Sequence, residues 1–85
     1  MMPGAYTPFK PVTERNLDLF REKLGPVMGV SYEPLLIAVQ NSVNPPNYMY
    51  ICNATVMTTP PKEYLASIEF FNDDTVHIKE LDLHK

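Results

Sequence analysis

The chain has 85 residues, 45% of them hydrophobic and 20% charged, with a formal net charge of −3. That length suits one domain with a modest core, and the balance excludes a disordered segment. The lack of excess Lys and Arg excludes a phosphate-binding surface, hence a nucleic-acid partner, and no run of about 18 apolar residues is present to span a membrane.

The N-terminal stretch "MMPGAYTPFKP" carries Pro3, Pro8 and Pro11 and has no apolar core of signal-peptide length. It reads as the start of a non-secreted, cytoplasmic protein. The single cysteine, Cys52, agrees: it excludes an internal disulfide and suits a reducing compartment. The sequon Asn53-Ala54-Thr55 would matter only in a secreted chain. Residues 1–12 are expected to form an extended trunk, because the prolines and Gly4 oppose regular structure.

Thr13 is a candidate N-cap, with Glu14 in the first turn at the positive end of the helix dipole. Leu17, Phe20, Leu24 and then Val27 or Met28 recur at helical spacing, while Arg15, Asp18, Arg21, Glu22 and Lys23 fall mainly on the other side. The spacing predicts one helix over 13–28, kinked at Gly25-Pro26 and stopped at Gly29.

After a link containing Pro34 the period changes from helical to alternating. "LLIAVQNSV" (35–43) and "YMYICNATVM" (48–57) are rich in branched and aromatic residues and read as strands. A proline-rich loop at 58–62 leads to "EYLASIEFF" (63–71), where Tyr64, Ala66, Ile68 and Phe70 share a face. Asn72-Asp73-Asp74 is a tight polar turn before "TVHIKELDL" (75–83). There Val76 and Ile78 have one parity and Leu81 and Leu83 the other, so a β-bulge near Lys79-Glu80 is expected to bring both pairs to the core. The fold class is α+β: one amphipathic helix packed on an antiparallel meander, in a single domain over 1–85.

Chemistry is sparse. His77 alternates away from Val76 and Ile78, as an exposed strand histidine would, and His84 lies in the C-terminal tail. Cys52 shares parity with Tyr48, Tyr50, Ala54 and Val56, which is the place of a small buried side chain. Nothing nearby in sequence would make it a thiolate. For Tyr48, Tyr50 and Tyr64, sheet packing is the ordinary role. Two distant histidines and a lone cysteine do not supply a clustered ligand set, and neither GxGxxG nor a P-loop is present. No catalytic residue, metal site or cofactor is expected.

Binding is the remaining option. Alternate loops of a meander lie at the same end of the sheet. The turn at 44–47 and the turn at 72–74 should therefore share one edge, with the loop at 58–62 opposite. An N-terminal segment running beside the sheet would bring Gly4 to the first edge.

Met1-Met2-Pro3-Gly4-Ala5, a helix with Pro26 in its later part, Ala38-Val39-Gln40 and Asn47-Tyr48 together resemble the stefins, the cytosolic branch of the cystatin inhibitors of cysteine proteases. The resemblance covers nearly the whole chain in element order. It implies a helix wrapped by a four- or five-stranded antiparallel sheet. It also implies reversible, wedge-like occlusion of the cleft of a papain-like cysteine protease. The resemblance assigns the protease contacts to three segments: Pro3, Gly4 and Ala5; Asn41, Ser42, Val43, Asn44, Pro45 and Pro46; and Asn72, Asp73 and Asp74. Gly4 stands at the family's trunk glycine. Aligned on Asn47-Tyr48, the Q-x-V-x-G of the first loop becomes Asn41-Ser42-Val43-Asn44-Pro45, which keeps Val43. The second loop is short and acidic where the family often has Leu-Pro or Pro-Trp. The alternative is a non-inhibitory scaffold on the same fold that binds another protein. The resemblance further implies a monomer whose hairpins can exchange into a domain-swapped dimer.

Overall fold

The computed structural model describes residues 5–81. In chain order the elements are β1 (Lys10–Pro11), α1 (Glu14–Leu24), β2 (Val30–Gln40), β3 (Asn47–Val56), β4 (Lys62–Phe70) and β5 (Val76–Glu80). The strands form one sheet in the order β1-β2-β3-β4-β5, with every neighbouring pair antiparallel. One helix on a five-stranded antiparallel sheet is the expected α+β arrangement. Among the described residues no helix is long and apolar enough to cross a membrane.

The helix starts at the expected cap. Thr13 and Asn16 form a reciprocal capping box: the Asn16 amide donates to Thr13 Oγ1 at 3.2 Å, and the Thr13 amide donates to Asn16 Oδ1 at 2.9 Å. It ends at Leu24, short of the expected residue 28. Gly25 takes φ 69°, and its N–H closes the helix on the Arg21 carbonyl at 3.1 Å. Pro26 disfavours a helical conformation in the residue before it, and glycine accepts the left-handed φ without strain, so the pair stops the helix rather than kinking it. Val27 and Met28 are consequently exposed, Met28 at 95%.

Strand boundaries move for similar reasons. β2 begins at Val30 and runs through Pro34, with a register shift between Pro34 and Leu36 that leaves Leu35 unpaired. The bulge falls here and not at Lys79-Glu80, where the β4–β5 register runs unbroken. Pro34 lies outside the span covered by β1, which pairs only with Leu36 and Ile37, so proline costs no β1 hydrogen bond there. β2 stops at Gln40, which leaves Asn41, Ser42 and Val43 in the loop. The trunk also contains a little regular structure, because Lys10–Pro11 pairs with β2.

Cross-strand partners share a face. Ile37, Tyr50 and Ile68 form one inner row, and Tyr48 and Phe70 belong to the next. Phe20 of α1 packs onto these rows. Its ring centroid lies 4.9 Å from Tyr50 and 5.7 Å from Phe70, and Tyr50 and Phe70 are 5.7 Å apart, all edge-to-face. Such pairs contribute about 1 kcal/mol each beyond area burial. The Tyr50 hydroxyl donates to the Asn16 carbonyl at 2.8 Å, so the ring fixes both the distance and the rotation of the helix. Burial pushes that hydroxyl up to about 12. Cys52, Ala54 and Ala66 complete the buried inner face, as expected of small side chains beneath a helix. Val76 and Ile78 have the inner parity yet remain 38% and 47% exposed. A gap of about 420 Å³ bounded by Leu19, Glu22, Lys23, Phe70 and Val76 separates α1 from the β5 side. The 11-residue helix covers the central strands and leaves β5 open.

Candidate functional site

The β2–β3 hairpin ends on the pair Gln40–Asn47, with residues 41–46 as its loop. The β4–β5 hairpin ends on the pair Phe70–Val76, with residues 71–75 as its turn. Antiparallel order puts both at one end of the sheet. They are also physically joined. Asn47 is 8% exposed and makes two side-chain hydrogen bonds. Its Nδ2 donates to Gln40 Oε1 at 2.7 Å, closing the first hairpin, and its Oδ1 accepts from the Asn72 amide at 2.7 Å, holding the second. A buried side-chain amide that uses both its donor and its acceptor holds its neighbours firmly, because losing either bond strands a polar group.

The two loops differ in character. Val43 and Pro46 are half-buried, and Asn41, Ser42, Asn44 and Pro45 are exposed; the Asn44–Pro45 peptide is cis. The loop therefore shows a polar rim around a partly sheltered Val43. The second turn is closed by Phe71 N–H to Thr75 O at 2.9 Å and Asp74 N–H to Phe71 O at 3.0 Å. Asp74 has φ 71°, a conformation that Asp tolerates. Asp73 Oδ1 accepts from the Thr75 amide at 3.0 Å. The Thr75 hydroxyl and amide hold the Asp73 carboxyl below its usual range, so this fully exposed tip is anionic.

The third segment is only partly described. Pro3 and Gly4 lie outside the described residues. Ala5 is exposed, and Thr7 is fastened to the end of β2: its N–H donates to the Val39 carbonyl at 2.8 Å and its Oγ1 accepts from the Val39 amide at 2.9 Å. Val39 directly precedes the last residue of β2, so Thr7 itself is held at the same end of the sheet as the two loops.

The nucleophile candidates lie elsewhere. Cys52 is fully buried on the inner face, and burial pushes its thiol up to about 12. His77 pairs with Glu69 on the outer face and packs edge-to-face on Phe71 at 5.1 Å. The cysteine and this histidine are on opposite sides of the sheet, and His84 lies outside the described residues. Among the described residues no three His, Cys, Asp or Glu side chains gather as a metal site would require. A groove of about 600 Å³ opens between α1 and the start of β2, lined by Leu17, Phe20, Leu24, Val27, Val30 and Tyr32. It lies towards the opposite end from the loops.

Two contributors to the edge escape a reading of the sequence. Asn47 looks like an ordinary turn residue after two prolines, and its partner Asn72 is 25 residues away. Tyr6 sits in a proline-rich tail, and its hydroxyl donates to the Glu69 carboxylate, 63 residues on. No local periodicity marks either contact. Comparison with protein-family models, curated proteins and solved structures finds no match.

Proposed function

We propose that this chain is a stefin-like inhibitor of papain-like cysteine proteases, acting in the cytoplasm by reversible occlusion of the active-site cleft. One observation carries the reading: Asn47 joins the first loop to the second turn, at the end of the sheet where Thr7 is fastened to β2. A cleft is filled by a continuous, rigid edge far better than by loops that must be ordered on binding, because ordering costs affinity. The contact residues are Pro3, Gly4 and Ala5, Asn41 to Pro46, and Asn72 to Asp74. Val43 supplies an apolar contact within the polar rim of the loop, and Pro45 and Pro46 stiffen the loop while making a poor scissile bond. The protein acts as a monomer, with hairpin exchange as its route to a dimer.

A specific feature favours a second reading, a non-inhibitory scaffold on the same fold. The second turn presents Asp73 and Asp74 where an apolar tip would suit a protease cleft. Titration against several papain-like proteases separates the two. Inhibition at or below micromolar concentration, lost in Val43→Asp and weakened by removing residues 1–4, supports the wedge. Absence of inhibition across the panel discards it in favour of the scaffold.

A further inference from the structure

The geometry points to Tyr6 and Glu69 as positioning residues: their bond straps the chain at Tyr6 and Thr7 against the outer face of the sheet and so fixes the point from which the protease-contacting segment starts. This rests on the wedge reading. Ala38, Met49, Glu69 and His77 form one transverse row of the outer face, one residue from each of β2, β3, β4 and β5. Thr7 is fastened beside β2, and the adjacent Tyr6 reaches Glu69 on β4. Two strand spacings separate β2 from β4, about 10 Å. The Tyr6 side chain and the Glu69 side chain together bridge that distance on the outer face, on the side of the sheet that carries Ala38 and Met49.

Burial agrees. Ala38 is 0% exposed although it faces away from the helix, and Met49 is half-buried. The next outer row toward the far end, with Leu36, Ile51 and Lys79, contains no fully buried side chain. Apolar burial is thus greater in the row that contains Glu69, the partner of Tyr6, than in the next one. Desolvation and the neighbouring carboxylate both push the Tyr6 hydroxyl well above its ordinary range, so it remains a donor.

The strap has a consequence for binding. A trunk tied at Thr7 alone pivots about one point on the edge of β2. A second tie two strands away removes that freedom before any partner arrives, which lowers the ordering cost of association. Tyr6 need not touch a protease to do this.

The test compares Tyr6→Phe, which keeps the ring and removes the donor, with Glu69→Gln, each in the full chain and in the chain starting at residue 5. Two readouts are taken: inhibition of a papain-like protease, and amide exchange of Thr7 in the free protein. The expected result is inhibition about 10-fold weaker in both full-length variants, mainly through faster dissociation, and no change in the shortened ones. Thr7 exchange should accelerate in both. Equal weakening at both lengths, or unchanged Thr7 exchange, overturns the strap while leaving the wedge standing. Absence of inhibition by every chain, native included, overturns the wedge and with it the positioning role.

Discussion

The two ends of the sheet are built differently. At the end carrying residues 41–46 and 71–75, a buried side chain bonds both hairpins. At the other end, residues 25–29 and 57–61 meet through a backbone bond, Met57 N–H to Gly29 O at 3.0 Å, and their large side chains stand free, Met28 at 95% and Met57 at 64% exposure. Burying an amide side chain is costly unless it is fully bonded, so the first end spends stability risk on a fixed shape. The two ends thus differ in how firmly they are held as well as in polarity.

The largest expected effect removes what the two ends share. Phe20 is the single helix residue packed edge-to-face on both Tyr50 and Phe70. Phe20→Ala should cost about 3–5 kcal/mol, measured by urea unfolding, and loosen both ends together. Loss of only one end would show that the ends do not share this core.

Alkaline pH should produce the next effect, again at both ends. Cys52 has an ordinary value of 9.0 and is pushed up to about 12 by burial, as is the Tyr50 hydroxyl from 10.0. Above pH 9 the unfolded chain releases these protons before the folded one does. The folded state then binds more protons, so stability falls as pH rises from about 9 to about 12. The urea midpoint should drop over that window, and Cys52→Ala should flatten the slope. Native Cys52 should also resist alkylation at neutral pH; rapid modification would contradict its burial.

A smaller substitution should separate the ends. Asn47→Ala leaves the Asn72 amide without its acceptor and should cost about 1–3 kcal/mol. Met57→Ala, at the other end, should change stability by less than about 0.5 kcal/mol. Amide exchange should localise the Asn47 loss to residues 40–47 and 71–75. Equal effects from the two substitutions would erase the distinction between the ends.

Much of the fold was legible because it depends on local period. Thr13 as N-cap, the inner-face parity of Tyr50, Cys52 and Ala54, and that of Ala66, Ile68 and Phe70 follow from spacing, and the structure has them so. Helix length was misread because Val27 and Met28 continue the apolar spacing, whereas the backbone of Gly25-Pro26 decides the end. The β5 bulge was misread because apolar residues need not be buried: the short helix leaves Val76 and Ile78 open without any register shift. Shared placement of the two loops followed from strand order. The bonds of Asn47 and Tyr6 did not, because they join residues far apart in sequence through side chains with no pattern to betray them.

The most direct measurement is inhibition of papain-like proteases by the native protein, Asn47→Ala and Met57→Ala side by side. If the joined loops are the docking edge, the native protein inhibits at or below micromolar concentration. Asn47→Ala should then be weakened about 10-fold or more, roughly 1.4 kcal/mol, with Met57→Ala indistinguishable from native. Equal inhibition by all three, or none by the native chain, would contradict it.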